Sequence, residues 1–282
     1  MFQNPLPVDL SNKVIVLTGA GGIMCGYFSR LLAQAGAKVA VLDIDFPAAE
    51  AVARDITANG MTARAYTANV LSPESLRDAH RAILAELGPC DVLINGAGGN
   101  NPKGNTEDEY FDPRTAETVR TFFDLDPDGF RLVSELNFLG TLLPTQEFAR
   151  DMIGRTGCSI LNISSTNAIH PLTKLPAYSA AKAAVSNFTE WLAVYFAKSG
   201  IRVNAIAPGF FITNQNRPNL LDADGQYTPR AYKILAGTPM GRFGEIHELG
   251  GVVLFLLCEQ AASFVTGAVI PVDGGFQAYC GV

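Results

Sequence analysis

Histidine and cysteine are scarce in this chain: three and five residues out of 282. His80, His170 and His247 are dispersed, and Cys25, Cys90, Cys158, Cys258 and Cys280 each stand alone. None of them sits in a pair with metal-ligand spacing, so no metal is expected. An odd number of scattered cysteines builds no disulfide framework, and reduced thiols in a cytoplasmic protein are the expectation. A basic excess is also missing. Twenty-one Lys and Arg face 27 Asp and Glu, a net charge of −6, which disfavours nucleic acid or an anionic membrane as a partner. The apolar runs break well short of the roughly 20 residues a membrane span needs. Residues 1–12 hold two prolines, no basic residue and no apolar core, so no secretory leader is expected.

What the chain does have is a core-forming composition, 48% hydrophobic and 17% charged, enough for one large α/β domain over residues 1–282. Short apolar strands alternate with helical patterns along it. Residues 13–18 read as a first strand that runs into Gly19-Ala20-Gly21-Gly22-Ile23-Met24-Cys25-Gly26, with a helix over 26–34. Strand, glycine turn and helix in that order make a phosphate cradle, because backbone N–H groups come close where side chains are absent and a helix start favours anions. A second strand, 38–42, ends at Asp43, 24 residues after Gly19. A carboxylate there accepts both hydroxyls of an adenosine ribose and repels a 2′-phosphate, so NAD is preferred over NADP. Helices over 47–59 and 73–87 flank a strand near 63–67, and a strand at 91–94 meets a second glycine turn, Asn95-Gly96-Ala97-Gly98-Gly99. The alternation predicts a Rossmann-type, doubly wound parallel sheet of about seven strands with helices on both faces.

A second set of residues carries reactive groups. The segment 158–163 reads as a buried strand, and Ser165 leaves its end. A helix over 177–198 places Tyr178 and Lys182 four apart, on one face. A free phenol titrates near 10, too high to exchange protons usefully at neutrality. A nearby ammonium, and the positive field of a nicotinamide, would lower it by favouring phenolate. Tyr178 could then protonate a carbonyl oxygen that Ser165 also holds.

Thr18-Gly19 with its glycines, Asn95-Ala97-Gly98, Asn137, Ser165, Tyr178/Lys182 and Pro208-Gly209 together resemble the short-chain dehydrogenase/reductase family over nearly the whole chain. The first glycine motif departs from the usual form, since two of its glycine positions fall on Ile23 and Cys25 while Gly21, Gly22 and Gly26 lie beside them. The resemblance implies a catalytic set of Asn137, Ser165, Tyr178 and Lys182, with Asn137 holding a water that relays protons to the lysine from within a helix over 128–148. It implies a cofactor set of Gly19, Gly21, Gly22, Ile23, Met24, Asp43, Asn69, Val70, Asn95, Ala97 and Gly98. Tyr178, Lys182, Pro208, Gly209, Phe211 and Thr213 complete that set. Asn69 stands where the family often has Asp near the adenine, Pro208-Gly209 where it contacts the nicotinamide, and Thr213 where it holds the carboxamide or a phosphate.

Residues 100–136 form a longer connection than the family's usual one, expected to be a wall of the substrate site or an oligomer contact. Residues 214–238 are polar and read as an irregular lid. Within the family, the stretches 98–103, 162–182 and 208–217 look closest to the D-mannonate oxidoreductase, or fructuronate reductase, branch, which reduces the ketone of a hexuronate. Such a substrate calls for a cation and several amides, and the candidates are Asn100, Asn101, Lys103, Asn167 and Arg217, with His170 and Lys174 also within reach. Dehydrogenases of other polyols, ketogluconates or deoxy sugar acids are the main alternative, and a nucleotide-sensing protein without catalysis the lesser one. The family commonly assembles as a homotetramer or homodimer.

Overall fold

The computed structural model describes residues 8–213 and 217–281. Among them, seven strands form one parallel sheet in the order β3-β2-β1-β4-β5-β6-β7. The chain enters through β1 (Val14–Thr18), α1 (Ile23–Gln34), β2 (Lys38–Asp43), α2 (Phe46–Ala58) and β3 (Thr62–Thr67). It then returns to the centre through α3 (Pro73–Glu86) and β4 (Val92–Asn95), which pairs with β1 on the side opposite β2. This reversal opens a crevice at the carboxyl ends of β1 and β4, where a doubly wound sheet takes its ligand.

The strands are buried on both faces, as a parallel sheet requires. Side-chain alternation divides them between two cores. Ile15, Leu17, Val39 and Val41 pack on one face against Phe28 and Leu32 of α1 and Val52 and Ile56 of α2. Val14, Val16, Ala40 and Leu42 pack on the other against Leu76 and Ile83 of α3 and Phe148. Each fully buried Leu, Ile or Phe contributes about 1.5–3 kcal/mol relative to exposure. The clamp is tight enough to fix where the strand ends stand.

Beyond β4, the connection holds α4 (Pro127–Ser134), a π turn (Glu135–Leu139) and α5 (Gly140–Phe148). The sequence predicts one continuous helix over 128–148, so the π turn is a correction, and Asn137 sits inside it. Within it the Asn137 side chain donates to the Val133 carbonyl one turn back (2.8 Å), and the Gly140 N–H reaches back to the Glu135 carbonyl. After β5 (Cys158–Ile163) come α6 (Pro176–Phe196), β6 (Ile201–Pro208) and the lid region. The lid is not irregular throughout: α7 (Arg217–Leu220) and α8 (Pro229–Ala236) lie within it, the latter capped by Thr228, while positions 214–216 lie outside the described residues. Likewise α1 begins at Ile23, three residues before the sequence placed it, because Gly22 serves as its cap. The chain closes through α9 (Gly250–Leu257) and β7 (Val269–Val272). Among the described residues, no helix is long and apolar enough to cross a membrane.

Candidate active site

The two glycine turns are built as one unit. Thr18 at the end of β1 accepts the backbone N–H groups of Gly96 (3.1 Å) and Ala97 (3.2 Å) through its hydroxyl. Gly19 adopts φ +64, and a Cβ there would stand 2.8 Å from the Ala97 Cα. Only glycine meets both demands. The Asp43 carboxylate at the end of β2 accepts the Gly21 N–H (2.9 Å) and the Asp45 N–H (3.0 Å), and a Cβ at Gly21 would strike Ala48 at 2.7 Å. One acidic side chain therefore both shapes the turn and presents a negative oxygen beside it. No side chain caps the start of α1, so its first-turn amides remain available to an anion.

These parts enclose a cavity of about 550 Å³. Gly19, Gly21, Gly22, Ile23 and Met24 line it, as do Asp43, Asn69 and Val70 farther along and Ala97 and Gly98 from the second turn. Tyr178, Lys182 and Thr213 line its other end. Four members of the sequence-derived cofactor set stand off this wall. Asn95 is buried beneath it, donating to Thr145 and to Asn162 (both 2.9 Å) and so tying β4 to β5 and α5. Pro208 accepts the Thr166 hydroxyl with its carbonyl (3.4 Å), the Gly209 N–H donates to Val272 (2.9 Å), and Phe211 is buried in the wall of a separate cavity of about 380 Å³. Asn69 turns its side-chain oxygen back to the Leu71 N–H (2.9 Å). Cys25, Ile44, Ala68, Leu136 and Ile163 also line the large cavity. Sequence reading had passed over them because they are apolar or thiol side chains without a motif of their own.

Tyr178 and Lys182 occupy the first two turns of α6, with Pro176 at its start. The Lys182 Nζ lies 5.7 Å from the centre of the Tyr178 ring and donates to the Ile163 carbonyl (2.8 Å) at the end of β5. Burial lowers the Lys182 ammonium to about 8. Burial also raises Tyr178 above the ordinary phenol range, more than its hydrogen bond with Ser165 lowers it. The acidified phenol expected from sequence is thus not what the protein surroundings alone produce. Desolvation of the phenolate dominates, and the amine that would oppose it is itself desolvated and aimed at a carbonyl. Ser165, 8% exposed, accepts the Asn167 N–H (3.2 Å) at the first bend beyond β5.

Asn137 is fully buried, and its amide bridges two elements. Nδ2 donates to the carbonyls of Gly99 (2.7 Å) and Val133 (2.8 Å), while Oδ1 accepts the Gly99 N–H (3.3 Å). A Cβ on Gly98 would come within 2.7 Å of that Oδ1 and 3.3 Å of Lys182 Nζ. Asn137, Gly98 and Lys182 are therefore packed against one another. The fold thus puts the phenol of Tyr178 and the ammonium of Lys182 on the wall of a cavity that the Asp43 carboxylate also lines, with the Ser165 hydroxyl beside the phenol and the Asn137 amide behind Gly98 and Gly99, both off the wall itself. Such a set can hold a polar ligand, polarise a carbonyl and move a proton. Among the described residues, no group of three His, Cys, Asp or Glu could hold a metal.

The candidate substrate residues fare unevenly. Asn167 is buried beside Ser165, at 6% exposure. Asn100 donates to Asn105 (3.2 Å), and its Oδ1 is buried without a partner. Asn101 caps its own turn by accepting the Lys103 N–H (2.9 Å). Lys103 points its ammonium at Asp126 (3.4 Å) and is largely exposed, so its charge is already matched. His170 and Arg217 are exposed. Lys174 is half-buried and has φ +71, a left-handed backbone that a lysine rarely adopts.

Comparison with known proteins extends these observations. A family model described as enoyl-(acyl carrier protein) reductase matches residues 24–277. An uncharacterized oxidoreductase of Haemophilus influenzae is 56% identical over 97% of this chain and 96% of its own length. The uncharacterized oxidoreductase UxuB of Bacillus subtilis is 48% identical over 99% of both. A crystal structure of a candidate D-mannonate oxidoreductase from Haemophilus influenzae, with bound NAD, superposes with a TM-score of 0.94 at 56% identity, covering 98% of each chain.

Proposed function

Since the chain belongs to the short-chain dehydrogenase/reductase family of oxidoreductases, we propose that it interconverts a keto sugar acid and its hydroxy acid with NAD, namely D-fructuronate and D-mannonate. The observation that carries the reading is the placement of Tyr178 and Lys182 on the wall of the same cavity that Asp43 and the glycine turns line. The sugar-acid assignment draws support from the Haemophilus influenzae candidate D-mannonate oxidoreductase, which resembles this chain over nearly its whole length and binds NAD.

The residues present fit a dinucleotide. Cβ atoms at Gly19, Gly21 and Gly98 would crowd neighbouring atoms, so the cleft wall stays bare where a cofactor must lie close. In this reading the Asp43 carboxylate accepts the adenosine ribose hydroxyls, and its charge disfavours NADP. Amides of the Gly19–Met24 turn take the pyrophosphate. Bound there, the reduced cofactor supplies hydride to the ketone carbon. Tyr178 gives its proton to the ketone oxygen, and Ser165 donates a hydrogen bond to the same oxygen. Lys182 holds the cofactor ribose and favours the phenolate left on Tyr178 once it has given up the proton. Asn137 fixes Gly99 and the water path that returns a proton to the lysine. Residues 100–136 form one wall of the substrate site and residues 217–238 its cover.

The same reading includes a cytoplasmic location and assembly as a homotetramer or homodimer. The stacked, exposed Trp191 and Tyr195 of α6 suit a covered interface. A panel of hexuronates, aldonates and polyols, each with NADH or NAD and followed by nicotinamide absorbance, tests the function. Fastest turnover of the hexuronate ketone by NADH is the expected result. Exclusive turnover of an uncharged polyol would replace the sugar-acid reading with the polyol one.

A further inference from the structure

A substrate with a carboxylate needs a cation at the far side of its pocket from the reacting carbon, and Lys103, paired with Asp126, is spoken for. Three other cations converge elsewhere. Lys174 lies in the bend that joins Ser165 to Tyr178, four residues before the tyrosine, while Arg230 and Lys233 lie on α8 of the lid region. Lys233 meets one carboxylate of the long connection, Glu109, and their hydrogen bond holds that carboxyl below the usual carboxylate range, while Arg230, three residues before Lys233, shares its face of α8. Lys233 binds Glu109 directly at 2.8 Å. Among the described residues, Lys174 and Arg230 close no ion pair of their own, and both are half-buried.

The backbone of Lys174 is forced into place. At φ +71 a lysine costs on the order of a kcal/mol that glycine or asparagine would not. The Thr106 N–H, from the same connection as Glu109, donates to the Lys174 carbonyl (3.2 Å). Nearby, a Cβ on Gly104 would lie 3.1 Å from that of Ala177, next to Tyr178. The long connection therefore pins the segment that delivers Tyr178, and holds the Lys174 backbone beside the stretch that carries Glu109. A strained residue held by tertiary contacts, with an unmatched charge beside the reactive helix start, is a candidate for ligand contact rather than packing.

Resting on the sugar-acid reading above, we propose that Lys174 and Arg230 form the pole that binds the substrate's carboxylate, with Glu109 anchoring Lys233 so that α8 presents Arg230 to it. The pole selects an acid over the sugar bearing a hydroxymethyl group at the same carbon. It is made from three separate stretches: the long connection, the bend before Tyr178 and the lid helix. Without the insertion it could not assemble.

The test compares two substrates, the hexuronate ketone and the hexulose with hydroxymethyl in place of carboxylate. Lys174→Gly removes the charge and also relieves the left-handed strain, so lost affinity cannot be assigned to a damaged fold. Arg230→Gln is a second, independent variant. In each, KM for the hexuronate should rise about tenfold to a hundredfold with little change in kcat, the effect of losing one charge-assisted hydrogen bond. KM for the hexulose should hold, and Lys174→Arg should recover part of the loss. An unchanged hexuronate KM in both variants, or a parallel rise for both substrates, overturns this proposal while leaving the sugar-acid reading in place. A wild-type protein that neither binds nor reduces any keto sugar acid overturns both.

Discussion

Replacing Gly98 with alanine should cost turnover far more than stability. The new methyl would stand 2.7 Å from the Asn137 Oδ1 and 3.3 Å from Lys182 Nζ, whereas a carbon–oxygen contact settles nearer about 3.3 Å. Asn137 or the loop must therefore yield by about 0.6 Å. The asparagine has nowhere to go, being fully buried with bonds to Gly99 and Val133. Stretching one or two of those bonds costs about 0.5–1.5 kcal/mol each, a loss of at most a few degrees in Tm. Displacing reacting groups by about 1 Å can cost about a hundredfold in rate, so roughly tenfold or more is expected here. Gly251→Ala on the exposed side of α9, where a Cβ meets nothing within 4 Å, is the control and should leave both quantities alone. Steady-state kcat with NADH, dinucleotide Kd by calorimetry and thermal unfolding separate the effects. Full kcat alongside a lowered Tm would refute the link between Asn137 and the reaction. No change in either would refute the packing argument itself.

Two further outcomes follow from the charges. Burial alone would lower His80, but its bonds to Glu147 (2.8 Å) and Asp151 (2.9 Å) outweigh burial and raise it. Its stabilising contribution is then complete below about pH 6.5 and disappears as pH rises through the higher folded value, so the Tm deficit of His80→Gln should be large at pH 6 and shrink by pH 9. A deficit independent of pH would show that the bonds do not depend on the imidazolium. Asp43→Asn removes the charge that discriminates against a 2′-phosphate, and KM for NADH should rise about tenfold or more while the NADH/NADPH preference narrows. An unaltered preference would move cofactor selection to another residue.

Much of this architecture could be read from the residues because its signals are local and periodic. The apolar strands, the Gly turns after β1 and β4, and the i, i+4 spacing of Tyr178 and Lys182 all state their geometry within a few positions. The π turn could not be read that way. It carries Asn137, whose side-chain amide bonds both the Val133 carbonyl one turn back and Gly99, 38 residues away, a long-range contact that local periodicity does not encode. The upward push of burial on the Tyr178 phenol is illegible for a related reason. Proximity of an amine is visible in spacing, but the depth of burial that counteracts it depends on everything packed around α6. Substrate contacts were the least legible. Lys103 seemed a free cation until Asp126, 23 positions on, was seen to take it, and Lys174 stands out only through a backbone angle that no spacing reveals.

The most direct measurement is turnover of Tyr178→Phe alongside its binding of NADH. If Tyr178 delivers the proton, the variant should bind NADH as the wild type does, unfold at a similar temperature and lose about a hundredfold to ten-thousandfold in kcat. A Tyr178→Phe protein that reduces its substrate at close to the wild-type rate would contradict the account.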